Sequence, residues 1–332
     1  MVQPIGILYE HPDWFTPLFA ELDRRGLPYE RIAAQAHRFD PAARTSPYRL
    51  VVNRVSPSAY LRGNTSAIFQ ASAYLAHLES IDVPVVNGSR AHTLELSKAR
   101  QLSLLAQLGL PHPRSRVVNA VVQLEPAAAE LEYPVIVKPN IGGSGALMRR
   151  FDLPAELRQA ALAGELDAVF GLDSTAIVQE FHPPAGGSIV RVEALAGEVL
   201  YAIRIENDPT QGFNLCPADI CQADTVAPSS TEFEFCPADA PAKRPLQIKA
   251  VQPSPWVAEA VVRIFATAGT DVGGVEYLES SRDGRIYFYD INALSNFVTD
   301  AVRLVGFDPF ARFVDFLERR AGLTKVAAVG SR

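Results

Sequence analysis

Apolar positions in the first hundred residues switch between two periods. PIGILY (4–9), YRLVVNRV (48–55) and VPVVN (83–87) are short runs rich in β-branched residues, the pattern of buried strands. Between them, residues 14–25 place Phe15, Leu18, Phe19 and Leu22 at helical spacing and stop at Gly26, and residues 67–78 read as a second helix. Alternating strands and helices predict a small parallel sheet. Residues 94–108 form one strongly apolar helix closed by Gly109. Pro111 and Pro113 then impose an extended linker, where we place a domain boundary.

From 116 to 180 the pattern predicts a strand, a helix, the strand VIVK, a loop, the strand MRRF, a helix over 154–163 and the strand AIVQEF. Two strands flank Gly197 over 189–204. Residues 206–254 are polar and proline-rich, the composition of a long functional loop or lid. A helix over 256–268, two strands and a helix over 308–320 complete the chain, and the last dozen residues are expected to fray. The expected units are 1–110, 111–185 and 186–325, an α/β chain with α+β lobes.

A length of 332 residues suits two domains, or one with two or three lobes, and 48% hydrophobic with 20% charged residues is ordinary for a soluble globular protein. The net charge of -6 and the lack of any Lys/Arg-rich run argue against nucleic-acid binding, while leaving room for a small anion in a local basic pocket. The N-terminus has no basic segment leading into an apolar one, and no apolar run reaches the roughly 18 residues of a membrane span. Cys216, Cys221 and Cys236 include no C-x-x-C pair, so free thiols in a reducing cytoplasm are expected.

The stretch VIVKPNIGGSGA (135–146) delivers one lysine to the mouth of a glycine-rich loop. Glycines let a backbone approach a ligand with its N–H groups outward, and a lysine beside them suggests phosphate; a surface hairpin with a flexible tip is the plainer alternative. A second clue lies in GGVEYLESSRDGRIYFYDINAL. Its two strands flank an Asp283–Gly284 turn, Asp290 and Asn292 share a face, and a tip near Asp283 puts Glu276 opposite Asp290. Opposed carboxylates destabilise a ladder unless a cation lies between them, and oxygen ligands of this kind suit Mg²⁺; an exposed polar face is the plainer reading here.

Together the two clues describe a nucleoside triphosphate site. G-x-x-x-x-G-K-[ST] is absent, Met148 breaks G-x-G-x-x-G, and Ala146 breaks G-x-S-x-G. The order of features from about 84 to 300 instead resembles the ATP-grasp superfamily, most closely glutathione synthetase and the RimK-type carboxylate–amine ligases. The matching stretches are VPVVN…LSKARQLSLLAQLGLPHP, PVIVKP, NIGGSGA, IVQEF, SIVRVEALAGEVLYAIR and GVEYLES…YFYDINALSN.

The resemblance implies an ATP-grasp fold preceded by a β-α-β domain, and an ADP-forming ligase that joins a small-molecule or peptide carboxylate to an amine through an acyl phosphate. ATP and Mg²⁺, with Mn²⁺ as a substitute, are the implied cofactors. Lys98 and Lys138 would contact phosphates, and Gly142, Gly143, Ser144 and Gly145 would close over them. Glu180 and Phe181 would hold adenine through their main chain, with Gln179 alongside. Arg191 and Arg204 would hold a carboxylate or acyl phosphate, and Glu276, Asp290 and Asn292 the metal. Glu276 and Asp290 exchange the usual acids, Ser188 stands where an acidic residue often meets the ribose, and ALSNF replaces the usual segment after the metal asparagine. Asn53, Arg54 and Ser56, at a strand end, are candidates for the substrate cleft, whereas His182 reads as structural. A kinase-like phosphoryl transfer, a nucleotide-binding regulator and self-association stay open at this stage.

Overall fold

The computed structural model describes residues 2–143, 145–206 and 246–323. Ser144, the three cysteines, most of the polar insert and the tail beyond 323 lie outside the described residues. Among the latter, no helix is long and apolar enough to cross a membrane.

Three sheets follow one another along the chain. The first contains β1 (Ile5–Tyr9), β2 (Tyr29–Ala33), β3 (Leu50–Arg54) and β4 (Val85–Val86) in the order β2-β1-β3-β4, with every pairing parallel. Helix α1 (Thr16–Arg25) ends at Gly26, whose φ of 64° is the left-handed cap that glycine adopts without strain. Helix α2 is Thr65–Ser80. The apolar pattern missed β2, an edge strand whose Glu30 and Arg31 point to solvent.

The helix expected over 94–108 is two helices, α3 (Ser89–Glu95) and α4 (Lys98–Gln107). The side chains of two residues cause the break. Ser97 Oγ accepts the Arg100 N–H at the start of α4, and Asn140 Oδ1 accepts both the Ser97 hydroxyl and the Ala99 N–H. Capping outweighs continued helix here, and it puts Lys98 at the first position of a helix instead of along one.

The second sheet, β5 (Ser115–Val118), β6 (Val135–Pro139), β7 (Arg149–Phe151) and β8 (Ala176–Glu180), runs β5-β8-β6-β7 and is antiparallel. Helices α5 (Leu124–Ala128) and α6 (Pro154–Leu162) share its apolar core. The third sheet holds β9 (Ser188–Leu195), β10 (Glu198–Glu206), β11 (Ile248–Val251), β12 (Val272–Glu279) and β13 (Ile286–Asn292) in the order β11-β10-β9-β12-β13. Strand β11 lies in the span read as a loop; it pairs with β10 and shortens the insert at its C-terminal end.

The third sheet is buried on both faces. One packs on α4 and α7 (Pro255–Ala268) through Val190, Val192, Val275 and Phe288. The other packs Ile189, Leu195 and Ile203 against the first sheet, α1 and α9 (Pro309–Arg320). Arg25 ties α1 to α9 through Asp315 and Glu318, each at 2.6 Å. A short helix, α8 (Ala301–Val305), precedes α9 and carried no clear periodic signal.

Candidate active site

The second and third sheets face each other across a cleft lined by Lys98, Lys138, Gln179, Glu276, Tyr289 and Asp290. Lys138 is the penultimate residue of β6, an otherwise apolar strand, and is 3% exposed. Burial, and then the charge of Lys98, lower its pKa to about 7. Gly142, Gly143 and Gly145 line the same cleft, and Gly145 has a φ of 68°. The segment after β3 reaches this loop as well, because Tyr60 Oη donates to the Ile141 carbonyl at 3.2 Å.

Glu276 and Asp290 are direct cross-strand partners, as the hairpin reading expects. The counter-charge is internal. Lys98 Nζ makes an ion pair with Asp290 Oδ1, and the Asn292 amide donates to Asp290 Oδ2 at 3.3 Å. Burial would raise the Asp290 carboxyl, but Lys98 and Lys138 outweigh it and hold its pKa below the usual value. The same pair leaves Lys98 raised despite its burial. For Glu276 burial dominates and pushes the carboxyl up, against the opposing charge of Arg191.

Arg191 stands behind the cleft wall and reaches it through Glu276. Its Nε donates to Glu193 Oε1 at 2.6 Å and its Nη1 to Glu276 Oε1 at 3.0 Å. Arg204 does not join it. Ile203 is the cross-strand partner of Arg191, so Arg204 takes the opposite face of the sheet, where Nη1 donates to Ser188 Oγ at 3.0 Å. The pairing of both arginines is corrected by one residue of strand alternation.

At the hinge, Gln179, Glu180 and Phe181 line the cleft. The main-chain N–H groups of Glu180 and Phe181 already donate to Arg114 O at 2.9 Å and Pro134 O at 2.8 Å, so a base held there would meet neither. Gln179 Nε2 is buried with no hydrogen-bond partner. His182 stacks on Tyr287 with ring centroids 4.1 Å apart, and its Nδ1 lies 3.1 Å from Ser280 Oγ, in keeping with its structural reading.

Asn53, Arg54 and Ser56 are buried and do not line the cleft. Asn53 donates to Asn87 O and accepts from Val55 N. Ser56 Oγ accepts the Ser58 N–H. Arg54 is 1% exposed, donates to the Ser295 carbonyl and lies over Phe15 and Phe313, with burial lowering its pKa to about 10.

Sequence reasoning missed Glu193, Glu95, Gly274 and Tyr289. Alternation from Arg191 would have exposed Glu193, which is completely buried. A side chain at Gly274 would place its Cβ 2.8 Å from both Arg191 Nε and Glu193 Oε1, so only glycine lets that pair lie across β12. Glu95, at the end of α3, accepts the Ala293 N–H just past Asn292, and burial lifts its carboxyl to about 7.

No cluster of three or more His, Cys, Asp or Glu side chains forms a self-sufficient metal cage among the described residues. Two carboxylates beside an amide fit Mg²⁺ in another way, since that ion binds through one or two carboxylates and completes its shell with phosphate oxygens and water.

This arrangement of a glycine-rich antiparallel lobe facing a five-stranded lobe is the ATP-grasp fold, and comparison with solved structures shows it directly. The ATP-grasp ligase PsnB, solved with a phosphomimetic variant of a minimal precursor, Mg and ADP, superposes with a TM-score of 0.65 at 20% identity over 97% of this chain and 100% of its own. A RimK-domain ATP-grasp protein from Sphaerobacter thermophilus gives 0.64 at 19% identity over 94% of this chain and 98% of its own.

Sequence relatives agree in kind. The chain is 36% identical to a D-alanine–D-alanine ligase of Ectopseudomonas mendocina over 37% of each protein. It is 31% identical to a probable α-L-glutamate ligase of Thioalkalivibrio sulfidiphilus over 43% of this chain and 46% of the relative. It is 26% identical to the ribosomal protein bS6–L-glutamate ligase of Salmonella paratyphi B over 78% of this chain and 76% of that one. The chain thus spans less than half the length of the first two. No family model matches it.

Proposed function

We propose that this chain is an ATP-dependent, ADP-forming carboxylate–amine ligase working through an acyl phosphate. The observation that carries this reading is the charge arrangement of the cleft. Two lysines, Lys98 and Lys138, meet a directly opposed carboxylate pair, Glu276 and Asp290, and Arg191 extends the positive side. Relatives named as ligases, and a structural neighbour solved with Mg and ADP, support it.

In this reading Lys138, Lys98 and the glycine backbone at 142, 143 and 145 hold the phosphates. Gln179, Glu180 and Phe181 border the base. Glu276, Asp290 and Asn292 hold Mg²⁺, or Mn²⁺ in its place; when bound, the ion neutralises phosphate charge. Arg191 holds the substrate carboxylate and then the acyl phosphate. No protein nucleophile is required. Positioning and fixed charges supply the catalysis, and the buried surroundings of Lys138 and Arg191 keep water from the acyl phosphate.

The acids and amines are small molecules or peptide groups, the units divide at 110 and 185 with one sheet in each, and the protein works in the cytoplasm without nucleic acid. The test is interception. With ATP, Mg²⁺ and a panel of carboxylates, hydroxylamine should yield a hydroxamate in step with ADP. ADP release that depends on a carboxylate but yields neither hydroxamate nor amide would overturn the ligase reading.

A further inference from the structure

We infer that Tyr289 is a positioning residue that fixes the Glu276 carboxylate for the divalent cation, an inference that rests on the metal–nucleotide reading above. The register of the hairpin departs from a regular ladder. From its tip, Glu279 pairs with Ile286, Leu278 with Tyr287 and Tyr277 with Phe288. A regular ladder would next set Glu276 opposite Tyr289 and turn Asp290 to the far face. The ladder instead skips one residue, and Glu276 pairs with Asp290. A bulge of this kind re-aims side chains. Here it brings Tyr289, Asp290 and Glu276 to one cleft.

The skipped residue is engaged. Tyr289 Oη donates to Glu276 Oε2 at 2.9 Å while Arg191 Nη1 donates to Oε1 at 3.0 Å. Each oxygen of the carboxylate therefore carries one hydrogen bond and keeps lone-pair capacity for an ion. Held at both ends, the carboxylate cannot turn freely about its terminal bond. Arg191 alone would anchor one oxygen and leave the other to rotate. Tyr289 also separates Glu276 from a simpler fate, a two-pronged pair with Arg191 that would use both oxygens. The phenol need not touch the ion. Its place is behind the ligand, where hydrogen-bond partners tune metal affinity.

Tyr287, two residues earlier, supplies the internal control. Its hydroxyl donates to Asp283 Oδ2 at 2.8 Å, at the hairpin tip and away from the carboxylate pair.

The experiment is a titration of Mn²⁺ into protein and ADP, followed by electron paramagnetic resonance, for wild type, Tyr289→Phe and Tyr287→Phe. Loss of the Tyr289 hydroxyl should weaken Mn²⁺ binding roughly tenfold or more. It should leave metal-free ADP affinity and melting temperature at wild-type values, and Tyr287→Phe should leave Mn²⁺ binding unchanged. Wild-type Mn²⁺ affinity in Tyr289→Phe overturns the inference. An equal loss in both variants, or a loss that follows melting temperature, assigns the residue a structural role and overturns it as well. The assay requires no turnover, so its outcome is separate from that of hydroxamate trapping. A Tyr289-dependent ion site in a chain that makes no hydroxamate sinks only the ligase reading.

Discussion

Lys98, at the first turn of α4, makes an ion pair with Asp290, the carboxylate that stands opposite Glu276 in the third sheet. The repulsion expected between the two acids is therefore relieved by the protein itself.

Asp290→Asn should for that reason lose activity and stability together. Without Asp290, Lys98 and Lys138 face each other with less compensation, and an unsatisfied buried partner costs roughly 1–3 kcal/mol. The Asp290 pKa is depressed, so its contribution is present above the usual carboxylate value and lost as the pH falls below it. Urea denaturation of wild type and variant at pH 7 checks this. A variant as stable as wild type would show that the ion pair contributes little in the free protein.

Lys138 predicts a pH effect on the ligand-free protein. Its folded pKa of about 7 lies below the ordinary 10.5, so the unfolded chain binds more protons between those values and stability rises with pH across that window. Lys138→Met should flatten this rise and be the more stable protein at pH 7. The same variant should bind ATP analogues at least about tenfold more weakly, since a charge-assisted contact contributes roughly 1.5–3 kcal/mol. Wild-type binding above pH 7 should take up a proton, visible by calorimetry in buffers of different ionisation enthalpy. No uptake would mean that Lys138 does not meet the phosphates.

Glu95 should act in the opposite direction at lower pH. Its folded pKa of about 7 exceeds the ordinary 4.5, so stability falls as the pH rises between them. Glu95→Gln still accepts the Ala293 N–H and should be more stable than wild type at pH 8. Thermal melts of both proteins from pH 4 to 8 measure the difference; parallel curves would refute a buried, raised carboxyl.

Gly274→Ala tests the seat of Arg191. The new Cβ would lie 2.8 Å from Arg191 Nε and Glu193 Oε1. Displacing that pair should lower kcat at least about tenfold, a drop equivalent to roughly 1.4 kcal/mol, while the KM for ATP, whose phosphates are proposed to meet the lysines, should change less. Unchanged kcat would remove Arg191 from the chemistry.

Much of this protein was determined by its sequence alone. Local periodicity carried the parallel β-α-β start, the lysine near the end of a buried strand and the hairpin that turns at Asp283–Gly284, because strand alternation and turn chemistry act over a few residues. The order of those motifs carried the ATP-grasp fold. Tertiary structure decided what depends on distant partners. Asn140 breaks the helix before Lys98 from across the cleft. Sheet register, not spacing, puts Arg204 behind Arg191, and packing against a distant segment hides Arg54 at Ser295. The bulge at Tyr289 leaves no mark in the alternation of YFYDIN, since an inserted residue is visible only against the strand it fails to pair with. Charge state belongs to the same class: burial and neighbours, not residue type, bring Lys138 and Glu95 to the same pKa of about 7 from opposite sides.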